Sequence, residues 1–134
     1  MNDTTLRALH IDTGGASSII ELPVHWADLQ LALGSHVGGW ANRTRYQLCE
    51  GGSIGVVGQQ DSDGQEPNEV ATLLVELMLH TQLGPLLYGP VVIVGDQDGA
   101  AADLPLLRAE ALHVCAGRLY AALAPTPTGA GCDG

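Results

Sequence analysis

The sequence predicts a single α+β domain: a small, mixed but mostly antiparallel sheet of about five strands with helices packed on it. Three observations carry that expectation. Short alternating segments occur in pairs around glycine-rich turns, at 5–22 and again at 43–58. Longer stretches repeat apolar residues at helical spacing. One wholly apolar, β-branched run, Pro90-Val-Val-Ile-Val-Gly95, has the length of a strand buried on both faces. The predicted order is β-β-α-β-β-α-β-α. A chain of 134 residues is most simply one domain, here 1–124, followed by a disordered tail at 125–134.

Residues 5–12, TLRALHID, alternate and contain few breakers. Gly14-Gly15 suits a tight reversal, and residues 17–22, SSIIEL, return as the second arm of a hairpin. Leu22, Trp26, Leu29 and Leu33 then recur on one helical face, with Pro23 at the start and Gly34 in the C′ position. In residues 43–50, Thr44, Tyr46 and Leu48 share one side of a half-buried strand, while Arg43, Arg45 and Gln47 share the other. Residues 54–58 supply its hairpin partner, and 59–66 form a polar loop.

From Pro67 or Asn68 runs a second helix, with Glu69 favoured in its first turn by the helix dipole. Val70, Leu73, Leu74, Leu77 and Met78 form its apolar face, and Gly84-Pro85 ends it. After the apolar strand, residues 98–103 read as a loop. Asp103 is placed to cap a last helix, with Pro105 in the first turn, where its missing N–H is harmless.

The net charge of −10 comes from a shortage of cations: 15 acidic residues face five arginines and no lysine. Charged residues make up 15% of the chain, against about 25% in ordinary domains. Nucleic-acid binding through basic contacts is therefore not expected, and charge this thin is a poor imitation of DNA, so an acidic DNA-mimic inhibitor is the weakest of the alternatives. Without lysine there is no P-loop and no Schiff-base chemistry. The start of the chain has no basic-then-apolar leader, and no apolar stretch reaches the length of about 20 residues that a bilayer needs. Cys49, Cys115 and Cys132 are odd in number and widely spaced, which suits reduced thiols in a cytoplasmic protein.

The polar residues offer few assembled motifs. Asp96 and Asp98 follow the buried strand, where catalytic or metal-binding carboxylates often sit. They alternate around Gln97, however, and aspartate after a strand commonly closes a turn, so turn formation is the leading expectation. Asp61–Gly64 resembles part of a calcium loop, but Gln59 and Val70 occupy the positions that need carboxylates. The five histidines never occur at metal-ligand spacing, and no metal or cofactor is expected. Ser17, Ser18 and Ser53 lack a nucleophile elbow. Arg43 and Arg45 share a strand face that could grip an anionic partner, or could simply be its wet side. Trp40, after two glycines, is either a contact anchor or a core residue closing the loop.

Several of these pieces together resemble the bacterial and phage family known as domain of unknown function 3846. The pieces are an N-terminal hairpin, a short helix ending near 37–39, a second hairpin, Asn68-x-x-Ala71-Thr72 opening a helix, Gly89-Pro-Val-Val-Ile-Val-Gly95 with its acidic turn, and Asp103-Leu-Pro. The resemblance spans roughly residues 6–107. It implies no reaction; it implies an accessory role in phage or mobile elements. The expected function is thus that of a small non-enzymatic protein acting by binding, with a host protein as partner and Trp40, Arg43 and Arg45 as contact residues. The highly apolar helix at 68–83 leaves room for a homodimer. The alternative is a small-ligand site or enzyme at the strand end, using Asn68, Asp96 and Asp98.

Overall fold

The computed structural model describes residues 5–48, 52–59, 64–83 and 86–123. In chain order the elements are β1 (Thr5–Ile11), β2 (Ser17–Pro23), α1 (Trp26–Val37), β3 (Ala41–Gln47), β4 (Ser53–Gln59), α2 (Glu69–Leu79), β5 (Val91–Gln97), β6 (Ala100–Ala102) and α3 (Leu106–Leu123). The α+β class and the predicted order hold, with one strand added. Cys49, Cys132, Asp61, Gly84, Pro85 and the tail at 125–134 lie outside the described residues.

The apolar run became β5 because its side chains can be buried on both faces. Val91, Val92, Ile93 and Val94 are each at most 1% exposed, which is worth about 1.5–3 kcal/mol per side chain relative to exposure. The sheet order is β2-β1-β5-β4-β3, and all the described pairings are antiparallel. Val91 and Ile93 point to one face, under α2 and α3, with Leu74, Val75 and Leu112. Val92 and Val94 point to the other, under Leu29, Leu33 and Val37 of α1. The result is three layers, with one helix on one side of the sheet and two on the other.

Residues 98–103 are not a plain loop. Asp98 and Gly99 both take positive φ, 54° and 87°, and make the tight turn of a hairpin in which β6 pairs with the end of β5. Gly95 pairs with Ile54 on one side and Ala102 on the other, so β6 lies on the β1 side. A Cβ at Gly95 would run into the carbonyl oxygens of Asp103 and Ala102. Asp103 does not cap α3. Its carboxylate accepts from the Arg7 backbone N–H (2.5 Å) and from Arg7 Nη1 (3.3 Å), while the Leu104 N–H donates to the Arg7 carbonyl (2.9 Å).

The helix ends also moved. α1 begins at Trp26 and continues through Gly34 to a left-handed Gly38, whose N–H returns to the Gly34 carbonyl at 2.8 Å. Its buried stripe is Leu29, Leu33 and Val37, so Trp26, expected on that stripe, overhangs the sheet at 72% exposure. α2 stops at left-handed His80, before Gly84. Its buried set is Val70, Ala71, Thr72, Leu74, Val75 and Leu79, and Leu77 faces solvent.

Candidate functional site

The period of two places Arg43 and Arg45 on the α1 face of β3, because Arg43 pairs with Val57 and Val57 packs under α1. Ser53 shares that face from β4. Asp96, two residues beyond Val94, shares it from β5. The central strand thus carries one carboxylate toward an arginine pair on the sheet edge. Gly55 leaves the gap between them: a Cβ there would lie 2.9 Å from Arg43 Cδ and 3.0 Å from Val94 Cγ2.

Asp96 has no accessible side-chain surface, being covered mainly by the groups that bind it. Arg45 Nε donates to Oδ2 at 2.7 Å, Ser53 Oγ donates to the same oxygen at 2.7 Å, and Arg43 Nη1 lies 3.4 Å from Oδ1. Arg43 Nη2 also donates to the Gly99 carbonyl at the β5–β6 turn. The Ser53 hydroxyl, then the Arg45 hydrogen bond and charge, then the Gly99 N–H hold the Asp96 carboxyl below its ordinary range, against the opposing effect of burial. Asp96 is therefore ionised at neutral pH and its lone pairs are committed. That makes it a poor base; its role is to orient two guanidinium groups. Among the described residues two cations share this one anion, on a chain whose net charge is −10.

The arginine face continues into a groove of about 270 Å³ between α1 and the sheet, lined by Trp26, Leu29, Leu33, Ala41, Arg43 and the 99–101 turn. Trp40 stands beside β3 at 85% exposure, so it does not close the core.

Asp98 does not join Asp96. It occupies the hairpin turn, exposed, while Asp96 lies within β5 and does not form the turn. Asn68 is wholly buried and caps α2. Its Nδ2 donates toward the carbonyls of Ile11 (3.2 Å), Asp12 (3.0 Å) and Gly89 (2.8 Å), and its Oδ1 accepts from the Ala71 N–H (3.1 Å). Thr72 Oγ1 donates to the Asn68 carbonyl (2.8 Å) and accepts from the Leu87 N–H (3.0 Å). Asn68 and Thr72 therefore tie α2 to the end of β1 and to the approach to β5, with nothing left over for a ligand.

Other polar pairs are isolated. Ser17 Oγ lies 2.7 Å from His113 Nδ1, with no carboxylate on the ring's other nitrogen among the described residues. The His10 and His36 rings lie 5.3 Å apart, tilted by 51°, and burial followed by the His10 charge lowers the His36 pKa. Among the described residues no three His, Cys, Asp or Glu side chains converge as a metal site, and no helix is long and apolar enough to cross a membrane.

Reasoning from sequence singled out both arginines and Asp96 but did not join them, and it missed Ser53, the Gly99 carbonyl and Trp26. The small residue at Gly55, on a strand facing two arginines, was the available signal. Comparison with protein-family models, with curated proteins and with solved structures finds no match.

Proposed function

We propose that this domain acts by binding an anionic partner protein through the β3 side of its sheet, with Arg43 and Arg45 as the charged contacts and Trp40 and Trp26 as aromatic anchors. The observation that carries this reading is the shared carboxylate: Asp96 pre-orients two arginines yet neutralises only one of them. Exposed tryptophan and arginine are the residue types that most often dominate interface energy. An accessory role in a phage or mobile element, as the likeness to domain of unknown function 3846 implies, is compatible with this mode of action and forms part of the proposal.

A small-molecule or enzymatic site around Asn68, Asp96 and Asp98 draws less support, because the first two are saturated by protein groups and the third sits on a turn. The test is co-purification from the native host with the unaltered chain, with Trp40→Ala, and with the double variant Arg43→Gln/Arg45→Gln. Leu107→Ala serves as control, since Leu107 is exposed on α3 across the sheet. A stoichiometric partner lost in the first two variants and kept in the control is expected. Retention in all three variants would refute the assignment.

A further inference from the structure

α3 buries Ala109, Leu112 and Ala116 against the sheet side of the molecule. On the opposite side, at about 100° per residue, Glu110, Ala111, Val114, Gly117 and Arg118 share one face, all within about 60° of Val114. All five are exposed, Val114 by 54%. Glu110 and Arg118 stand about 12 Å apart along the axis, too far to pair with each other. His113 apart, neither has an oppositely charged side chain three or four residues away on α3. Neither makes an ion pair with another described residue.

Gly117 adds a second observation. Glycine is a poor residue for a helix interior, and a Cβ at Gly117 would meet nothing within 4 Å. Packing within one chain therefore does not account for it, whereas close approach of another helix would.

We infer that this face of α3 docks on the same face of a second copy, with the two helices antiparallel about a two-fold axis beside Val114. A two-fold contact pairs each residue with the one equally far beyond the centre. Glu110 of each copy then meets Arg118 of the other. Ala111 of each meets Gly117 of the other, and these small residues let the backbones come close. Val114 meets its own counterpart.

Charge selects both the occupant and the register. The face carries the two halves of its own match, which a second copy presents in reversed order. Parallel helices would set Glu110 against Glu110 and Arg118 against Arg118. An antiparallel register moved one turn toward either end would set one of these residues against itself. The net charge of −10 on each copy opposes association only weakly, because charges beyond about 8 Å are largely screened at physiological salt. The contact is independent of the binding role proposed above. α1 covers the side of the sheet opposite α3, so a dimer joined through α3 leaves the Arg43–Arg45 face of each copy open, and either surface can be lost without the other.

The test is sedimentation equilibrium of the full chain over a concentration series. A reversible monomer–dimer equilibrium is expected for the unaltered chain. Glu110→Arg and Arg118→Glu should each weaken it about tenfold or more, because one reversal turns both ion pairs into repulsions. A 1:1 mixture of these two variants should regain the dimer, since one then offers two cations and the other two anions. The double variant Glu110→Arg/Arg118→Glu should regain it too. Gly117→Leu should weaken the dimer without lowering the thermal unfolding temperature of the monomer. A monomer at every concentration would overturn the inference, and so would a dimer indifferent to the single reversals. Reversals that weaken the dimer but fail to rescue one another would overturn the antiparallel match.

Discussion

Around Asn68 every polar atom meets a protein partner, and the partners are almost all backbone. Around Asp96 two cations converge on one anion, and the remainder of the charge faces water. The first arrangement lies in the middle of the fold and joins three segments distant in sequence. The second lies on the sheet edge and joins side chains that the sheet had already aligned. Buried polar groups are affordable when fully matched. Under the proposed binding role, the surplus charge is what a partner meets, and the closed network is what holds the fold in place.

Substitutions should separate the two regions by size of effect. Asn68→Ala removes the α2 cap and takes a side-chain donor away from the carbonyls of Ile11, Asp12 and Gly89, and a loss of about 3 kcal/mol is expected in urea unfolding. Asn68→Asp should cost as much, because its carboxylate keeps the Ala71 N–H but turns an oxygen toward those carbonyls. Gly95→Ala, which pushes a methyl into the β6 backbone, should cost about 1–3 kcal/mol by the same measurement.

Asp96→Asn should cost less than Asn68→Ala, and its signature is in pH. The Asp96 pKa is depressed in the fold, so the unfolded chain takes up its proton first as pH falls. The contribution of Asp96 is complete above the unfolded value, about pH 4, and is lost as pH drops through the folded value. Unfolding followed from pH 6 downward should show a shallower acid slope for Asp96→Asn than for the unaltered chain, and an unchanged slope for Asn68→Ala. Smallest of all, Trp40→Ala should leave stability within about 0.5 kcal/mol, since the ring is almost wholly exposed. A larger loss would show that Trp40 supports the fold and would weaken its role as a contact anchor.

Periodicity made the framework legible. The alternation in 43–48 predicted that both arginines share one side of their strand, and the apolar run at 90–95 announced the central strand. What escaped depends on contacts between distant segments. Asp103 has the composition of a helix cap, but Arg7, 96 residues earlier, offers it a backbone N–H and a guanidinium together. A strand of three alanines has no pattern to read, and β6 exists because the Asp98-Gly99 turn returns it alongside β5. Gly34 looked like a helix stop, yet the helix passes it and turns at Gly38; what Gly34 supplies is room, since a Cβ there would meet the Gly39 carbonyl at 2.9 Å.

The bond between the Leu104 N–H and the Arg7 carbonyl also has a kinetic meaning. As the chain leaves the ribosome, β1 gains β2 at once, but its other side stays open for about 80 residues, until β5 and then the segment after β6 close against it. Contacts of such sequence separation carry a large loop-closure entropy and slow the folding of a domain. A nascent chain arrested before residue 104 would present an unfinished β1, whereas one released a few residues later could complete the sheet.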